Sequence, residues 1–526
     1  MKALLSFLLL FFIHTGYAQS LHIDSTRFIT GNKPAVILNS AIPTSDGGIF
    51  FVGWDGNNPG GIIPYFPDTS GRANVLVGKM DNSKQISWIK IFGGNDEDFG
   101  ITACQTPDGG YAVLSQVSSS NIDVTDFKGG VDLWLIRLDG TGNLLWKKSY
   151  GSSQSEQAIS IANTPDGGFI LLGNSNGADG DVPFHYGGFF DLDWLVIKID
   201  GSGNVEWSKD LGTVGDETTN GSIIAIDSVY YLVGSSEGKG NDCTDTAWHS
   251  GVYTKYDYYI LKIDAVGNVM WNRSYGGSES DVTMNAFYDT RDTTIVINGT
   301  SASTDYMVSG GHGQEDMWVL KVDLAGTMLW QKTFGTVNSD VGSGLSPYKS
   351  DRYLIYGSTR YAIGGGDLWL FMTDIDGNEI TNKIFGGVAT EKPQSLIAYQ
   401  NSFAATGVSS SDVFTEGVTY GKTATGQNAF ISFIEYWPAA VWDIEESKNP
   451  ITLVPNPANA LVTIRVSNHR NGYLKVYNSW GQVVFEKRNS NGDSVELNTT
   501  LWSVGAYLVQ WQNDDGTIYH SKLLKN

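Results

Sequence analysis

The segment DLWLIRLDGTGNLLWKKSYG, residues 132–151, sets the pattern for most of the chain. Its first eight residues carry apolar side chains at both odd and even positions, which in an extended chain means burial on both faces. DGTGN follows as turn chemistry, with Gly142 and Asn143 tolerant of positive φ, and LLWKKSYG reads as a second extended run. The pattern predicts a β-hairpin of two well-buried strands. Residues 151–173 add a third strand, ending in the turn Thr164-Pro165-Asp166-Gly167-Gly168, and a fourth at 169–173. Four antiparallel strands of this length make one blade of a β-propeller.

The unit recurs along the chain. A glycine closing the second strand and the residue opening the next turn stand about fifteen positions apart in each copy: Gly31 and Asp46, Gly93 and Asp108, Gly151 and Asp166, Gly212 and Asp227, Gly276 and Arg291, Gly335 and Ser350, Gly386 and Asn401. Residues 21–53 offer only three of the four strands. The stretch NAFISFIE, 428–435, matches the first-strand pattern but has no complete continuation. One strand from the end joined to three at the start would close the ring and leave no open edge. The expected fold is all-β: a seven-bladed β-propeller with four-stranded blades, one of them split between the termini.

Charge repeats as well. Asn74, Asp132, Asp193, Asp257, Asp316, Asp367 and Asn428 open the first strands, and Lys79, Arg137, Lys198, Lys262 and Lys321 follow five positions on. Two residues later come Asp81, Asp139, Asp200, Asp264, Asp323, Asp374 and Glu435. Such charges are expected to pair within and between blades where strands leave the core. The alternative is a charged ring at the channel mouth, but repetition in nearly every blade favours a structural role.

Residues 1–18 combine Lys2, an apolar run at 4–13 and the small-residue site Gly16-Tyr17-Ala18, the composition of a signal peptide cleaved before Gln19. That run is too short to span a bilayer, and no later segment approaches the roughly 18 apolar residues a span requires. The propeller is assigned to 19–437 and an irregular linker to 438–450. Residues 451–526 form a separate small β-sandwich with strands at 461–466, 473–477, 482–486, 494–497, 505–511 and 518–524.

Composition narrows the partners. With 41% hydrophobic, 12% aromatic and 17% charged residues among 526, and 63 glycines for turns, the chain is globular rather than disordered. A formal net charge of −22 argues against nucleic acid and anionic membranes, which need clustered Lys and Arg. Cys104 and Cys243 fall in different blades, so their spacing argues against a disulfide. No His-Glu-x-x-His, Gly-x-Ser-x-Gly or zinc-spaced Cys/His cluster occurs. Residues 176–181 and 374–379 place oxygen side chains at alternate positions, as calcium loops do, without the complete loop pattern. Turn formation accounts for them equally well, and no cofactor or metal is assigned.

Two resemblances add to this. The hairpin motif D-x-x-G-x-x-x-W (Asp139, Gly142, Trp146; Asp200, Gly203, Trp207; Asp264, Gly267, Trp271) resembles the tryptophan-docking blades of quinoprotein-like propellers and, loosely, the Asp-box of sialidases. With Asp108-Gly109-Gly110-Tyr111 and the run 175–182, SNGADGDV, residues 21–435 look most like the repeat propellers of secreted Bacteroidetes proteins. The C-terminal blocks are similar to the type A sorting domain of the type IX secretion system: Pro455, Asn456 and Pro457, then Gly481, then Gly505 and Tyr507, and the ending with Lys522 and Lys525. By resemblance, the translocon and its processing machinery read and remove such a domain, leaving the cargo secreted or attached to the outer-membrane surface.

The symmetry breaks in the connections from fourth strand to next first strand, which all emerge on one face. Trp54 and Tyr65, then Phe184, His185 and Tyr186, then Trp248, His249 and Tyr253 concentrate there. Aromatics on loops of a rigid scaffold can stack on sugars or anchor a protein, or fold back over the blade ends as a satellite core. The function read from the sequence is a secreted or surface non-enzymatic module binding a glycan or protein. The alternatives are a carbohydrate-active hydrolase or lyase on the same face, and a structural surface repeat protein.

Overall fold

The computed structural model describes residues 20–29, 36–56, 73–185, 191–213, 215–218, 220–237, 255–359, 366–385, 391–399, 402–409 and 428–437. In the C-terminal part it describes 451–454, 456, 460–466, 471–478, 482–489, 494–500, 502, 505–514 and 518–525. Ile23–Glu435 form one compact unit, and Tyr436–Asn526 belong to a second.

After β1 (Ser20–Ile29) the chain builds six consecutive four-stranded antiparallel sheets. They are β2–β5 (Val36–Pro43, Ile49–Gly56, Ala73–Met80, Ile86–Phe92), β6–β9 (Asp98–Gln105, Tyr111–Val117, Asp132–Leu138, Leu144–Tyr150) and β10–β13 (Glu156–Asn163, Phe169–Ser175, Asp193–Ile199, Val205–Leu211). Next come β14–β17 (Ser222–Ile226, Val229–Ser236, Asp257–Ile263, Val269–Tyr275), β18–β21 (Asp281–Asp289, Thr294–Ser301, Asp316–Asp323, Met328–Phe334) and β22–β25 (Asp340–Tyr348, Arg352–Thr359, Asp367–Asp374, Glu379–Phe385). A seventh sheet has the order β1-β28-β27-β26, with β26 (Glu391–Tyr399), β27 (Ser402–Ser409) and β28 (Asn428–Trp437). The opening strands touch in succession, β2 to β6, β10, β14, β18, β22 and β26, and β26 returns to β2. The sheets therefore close a ring, with these strands innermost.

Two details differ from the sequence-based expectation. The hairpin of 132–150 does not begin a blade; β8 and β9 finish one sheet, and β10 and β11 begin the next. It is also not buried on both arms. The strand β8 is buried throughout, whereas β9 is outermost and exposes Leu144 and Leu145. The second difference concerns closure. The strand containing NAFISFIE lies between β27 and β1, so the split sheet takes three strands from the end and one from the beginning. The strands β2 and β3 belong to the following sheet.

The middle strands are apolar on both faces because each sheet packs between two others. Phe50 of one sheet stacks on Tyr111 of the next with ring centroids 4.0 Å apart, and Trp134 is buried with them. The outer-strand tryptophans join the sheets differently. A Cβ on Gly142 would lie 2.9 Å from the Trp88 ring of the preceding sheet, and one on Gly203 would lie 3.0 Å from Trp146. Gly267 stands in the same relation to Trp207, and Gly377 to Trp330. Glycine thus serves twice at these hairpin turns: for its left-handed φ, +83° at Gly142, and to admit a neighbouring indole. This is the docking that the D-x-x-G-x-x-x-W resemblance implied.

The C-terminal unit has two sheets. One is β29-β30-β33 (Ile451–Val454, Leu461–Val466, Ser494–Asn498); the other is β32-β31-β34-β35 (Val483–Asn489, Gly472–Tyr477, Gly505–Asn513, Ile518–Lys525). Ile464, Leu474, Val476, Val509 and Trp511 are buried in its core. The predicted sandwich is present, with an additional strand at Ile451–Val454.

Candidate functional site

Strands alternate in direction, so each blade has two chemically distinct ends. At one end lie the short turns. Thr106 Oγ1 donates to Asp108 at 2.6 Å and Gly110 N donates to the same carboxylate, fixing the turn; Arg137 then reaches Asp108 at 2.5 Å. Lys79 with Asp46 (3.0 Å), Lys198 with Asp166 (2.7 Å) and Lys321 with Asp292 (2.5 Å) repeat the pair. In the fourth sheet Lys262 instead lies over the Tyr231 ring, 4.9 Å from its centroid. The Thr106 hydroxyl and its companions hold the Asp108 carboxyl down at about 2. Asp139 and its equivalents cap the hairpin turns, accepting from the N–H two and four residues on, as Asp374 does from Asp376 and Asn378. The oxygens of 374–379 therefore build a turn.

The other end carries the long connections, and its chemistry is inverted. The acids opening the first strands of the sequence pattern do not pair with the lysines, which sit at the far end of the same strand. They meet another acid. A Cβ on Gly151 would fall 2.2 Å from Glu156 Oε2 and 2.6 Å from Asp132 Oδ1. Gly212 stands likewise between Asp193 and Glu217, Gly276 between Asp257 and Asp281, and Gly93 between Asn74 and Asp98. This is the physical reason for the recurrent glycine: two buried side chains, both acids except for Asn74, occupy the space of its side chain. Burial pushes Asp132 up to about 7 and Asp281 to about 6, and drives Glu217 well above the carboxylate range. The inner-strand acids also organise the loops. Glu156 accepts from Ser152 Oγ (2.6 Å) and Ser175 Oγ (2.8 Å), and Asp281 from Gly277 N (2.7 Å) and Ser303 Oγ (2.9 Å).

Three long connections share a further device. Val124, Val182 and Val308 are buried plugs, and two residues before each the backbone is left-handed, at Ile122 (φ 57°), Gly180 (62°) and Tyr306 (52°). Ile122 is 55% exposed and Tyr306 69%. A β-branched or aromatic residue in this conformation is strained, and strain of this kind concentrates at functional positions. In the second of these loops Asp179 accepts from Ser153 N and Oγ, and Asp181 from Gly151 N, so the oxygens of 176–181 hold the loop to its neighbour.

Of the aromatic candidates, Trp54 lies in β3, half-buried, edge-to-face with Phe99 at 5.4 Å. Phe184 is 41% exposed. His185 turns inward: its Nδ1 lies 2.8 Å from Asp193 Oδ2 and 3.6 Å from Asp210 Oδ2. Tyr65, Tyr186, Trp248, His249, Tyr253 and Cys243 lie outside the described residues. Cys104 is a free thiol, pushed up to about 12 by burial. Among the sorting positions, Tyr507 is buried against Trp502 and Lys525 is buried, with Gly505 paired to Lys525 and Leu508 to Lys522. Asn456 is exposed, and Pro455, Pro457 and Gly481 lie outside the described residues. Sequence reasoning missed Ile122, Tyr306 and Asp210. Asp210 had a readable signal, because it stands where other outer strands carry Ser149, Ser274 or Thr333.

Over 187 residues the chain is 23% identical to the regulatory protein FlaEY of Caulobacter vibrioides, a match covering 33% of this chain and 19% of that relative. Among solved structures, the Pan2 WD40 domain of Neurospora crassa aligns with 9% identity, covering 75% of this chain and 88% of that one, with a TM-score of 0.39. A DUF4221 protein of Bacteroides vulgatus aligns with 10% identity over 62% of this chain and 90% of that one, with a TM-score of 0.36. The acylaminoacyl peptidase of Pyrococcus horikoshii aligns with 10% identity over 82% and 57%, with a TM-score of 0.40. No described helix is long and apolar enough to cross a membrane. Residues 452–526 match the family described as "Secretion system C-terminal sorting domain". The chain thus carries a type IX sorting domain of that family at its C-terminal end, behind a β-propeller.

Proposed function

We propose that the propeller is a non-enzymatic binding module, for a glycan or a protein, delivered to the cell surface or the medium by its sorting domain. In this reading residues 1–18 are removed on export, and the C-terminal domain is read and cleaved by the type IX machinery. The observation that carries the binding role is the pair Ile122 and Tyr306. Both are bulky, exposed and held in a left-handed conformation at the same end of two different blades. Glycine at the equivalent Gly180 shows that the loop can be made without that strain. Retaining large side chains there favours a contact role, since exposed apolar and aromatic groups on fixed loops serve as interface anchors.

The test is a screen of the exported protein against glycans and envelope proteins, with product analysis of the same samples, followed by the Ile122→Gly, Tyr306→Gly double variant. Loss of binding with an unchanged or raised melting point is expected. Undiminished binding by that variant would remove this end of the blades from consideration, and substrate turnover would replace binding by catalysis.

A further inference from the structure

We propose that His185, Asp193 and Asp210 form a binding site for one divalent transition-metal ion of the zinc class. The three donor atoms lie within 4.8 Å of one another. The imidazole Nδ1 is 2.8 and 3.6 Å from the two carboxylate oxygens, which brackets the separation of about 3.3 Å between donors arranged tetrahedrally around zinc at roughly 2.0–2.1 Å. Nitrogen with two carboxylates suits zinc and its neighbours, whereas calcium and magnesium take oxygen alone.

Charge points the same way. Asp193 and Asp210 are both buried, and the buried Glu217 lies beside Asp193. Carboxylates gathered this closely in a poorly solvated place favour a cation between them. The site also breaks the repeat. Asp193 has an equivalent in nearly every blade, but Asp210 replaces the Ser149 and Ser274 of the flanking blades, and a histidine comes down from the long connection to face it. Bound metal would pin the segment carrying Phe184 and His185 onto the strands β12 and β13. The inference does not depend on the binding role proposed for Ile122 and Tyr306.

The test uses the full chain, stripped with a chelator and titrated with zinc chloride alone, by calorimetry and thermal melting. Cobalt(II) absorption reports the coordination geometry. One equivalent should bind and raise the melting point, cobalt should give tetrahedral d–d bands, and calcium at equal concentration should do neither. Asp210→Ser restores the residue of the flanking blades and should fold, with zinc affinity lowered about a hundredfold or more. His185→Ala, on a connection rather than a core strand, provides the same reading independently. Absence of a zinc-dependent shift in the wild type, full zinc affinity in both variants, or an equal response to calcium would overturn the assignment.

Discussion

At the turn end of four sheets a buried cation meets a more exposed acid, while at the connection end, at Gly151, Gly212 and Gly276, two buried acidic groups meet each other around a glycine. The first arrangement is a neutral pair whose acid titrates low; the second accumulates negative charge in a dry place and titrates high. The difference shows how the repeat divides its tasks. The turn end is closed chemically, each charge answered within its own sheet. The connection end is held in tension, and its acids are spent on organising loops whose tips are free to vary.

The largest effect should come from filling the glycine between the acids. Gly151→Ala would drive a methyl group into both carboxylates and should cost about 3 kcal/mol, measured by urea denaturation, the upper range for overpacking a tight site. A loss under about 1 kcal/mol would mean that the two acids separate readily and that the end is not under tension.

Next comes pH. Asp132 has a folded value near 7 against 3.8 for the ordinary group, so the folded state binds the extra proton, and its contribution is complete below 3.8 and lost as pH rises through 7. The propeller should therefore gain on the order of 2 kcal/mol on going from pH 8 to pH 5. The turn-end acids oppose this only below the ordinary carboxylate range, because Asp108 titrates near 2. Asp132→Asn, which reproduces the Asn74 of the first sheet, should flatten the profile; an unchanged slope would assign the pH dependence elsewhere.

A smaller gain is expected at a loop tip. Ile122→Gly removes a left-handed β-branched residue and should stabilise by about 1 kcal/mol, read as a raised melting point. The smallest effect belongs to the turn end. Asp108→Asn keeps an acceptor for Arg137 at an exposed position and should cost about 0.5 kcal/mol. A cost as large as that of Gly151→Ala would abolish the distinction between the ends.

Much of this was legible from residues alone. Alternating apolar runs and Asp-Gly turns located nearly every strand, and the spacing from Gly151 to Asp166 fixed the repeat. The phase of the blade was not legible. The crossings between sheets, such as 93–97 and 151–155, are as short as the turns within a sheet, and hydrophobic pattern cannot tell which neighbouring pair exchanges no hydrogen bonds. The acid pairs were hidden for another reason. Asp132 and Glu156 are distant along the chain, although an acid follows the recurrent glycine by five positions at Asp98, Glu156, Glu217, Asp281, Asp340 and Glu391. From the sequence His185 reads as a loop aromatic; its partner Asp210 comes from an outer strand that charge pattern alone assigns to solvent.

The way the ring closes sets the order in which this protein can be made. The strand β1 belongs beside β28, roughly four hundred residues later, so the earliest strand has no place to settle until the last one has formed. Six sheets can assemble from neighbouring segments as the chain appears, each from strands close in sequence. The seventh demands the most distant contact in the propeller, and it is expected to be the final and slowest step of folding. Until it is made, β28 presents an unpaired edge open to another chain. The form of this molecule that still lacks β1 in its place is therefore the one most open to edge-to-edge association.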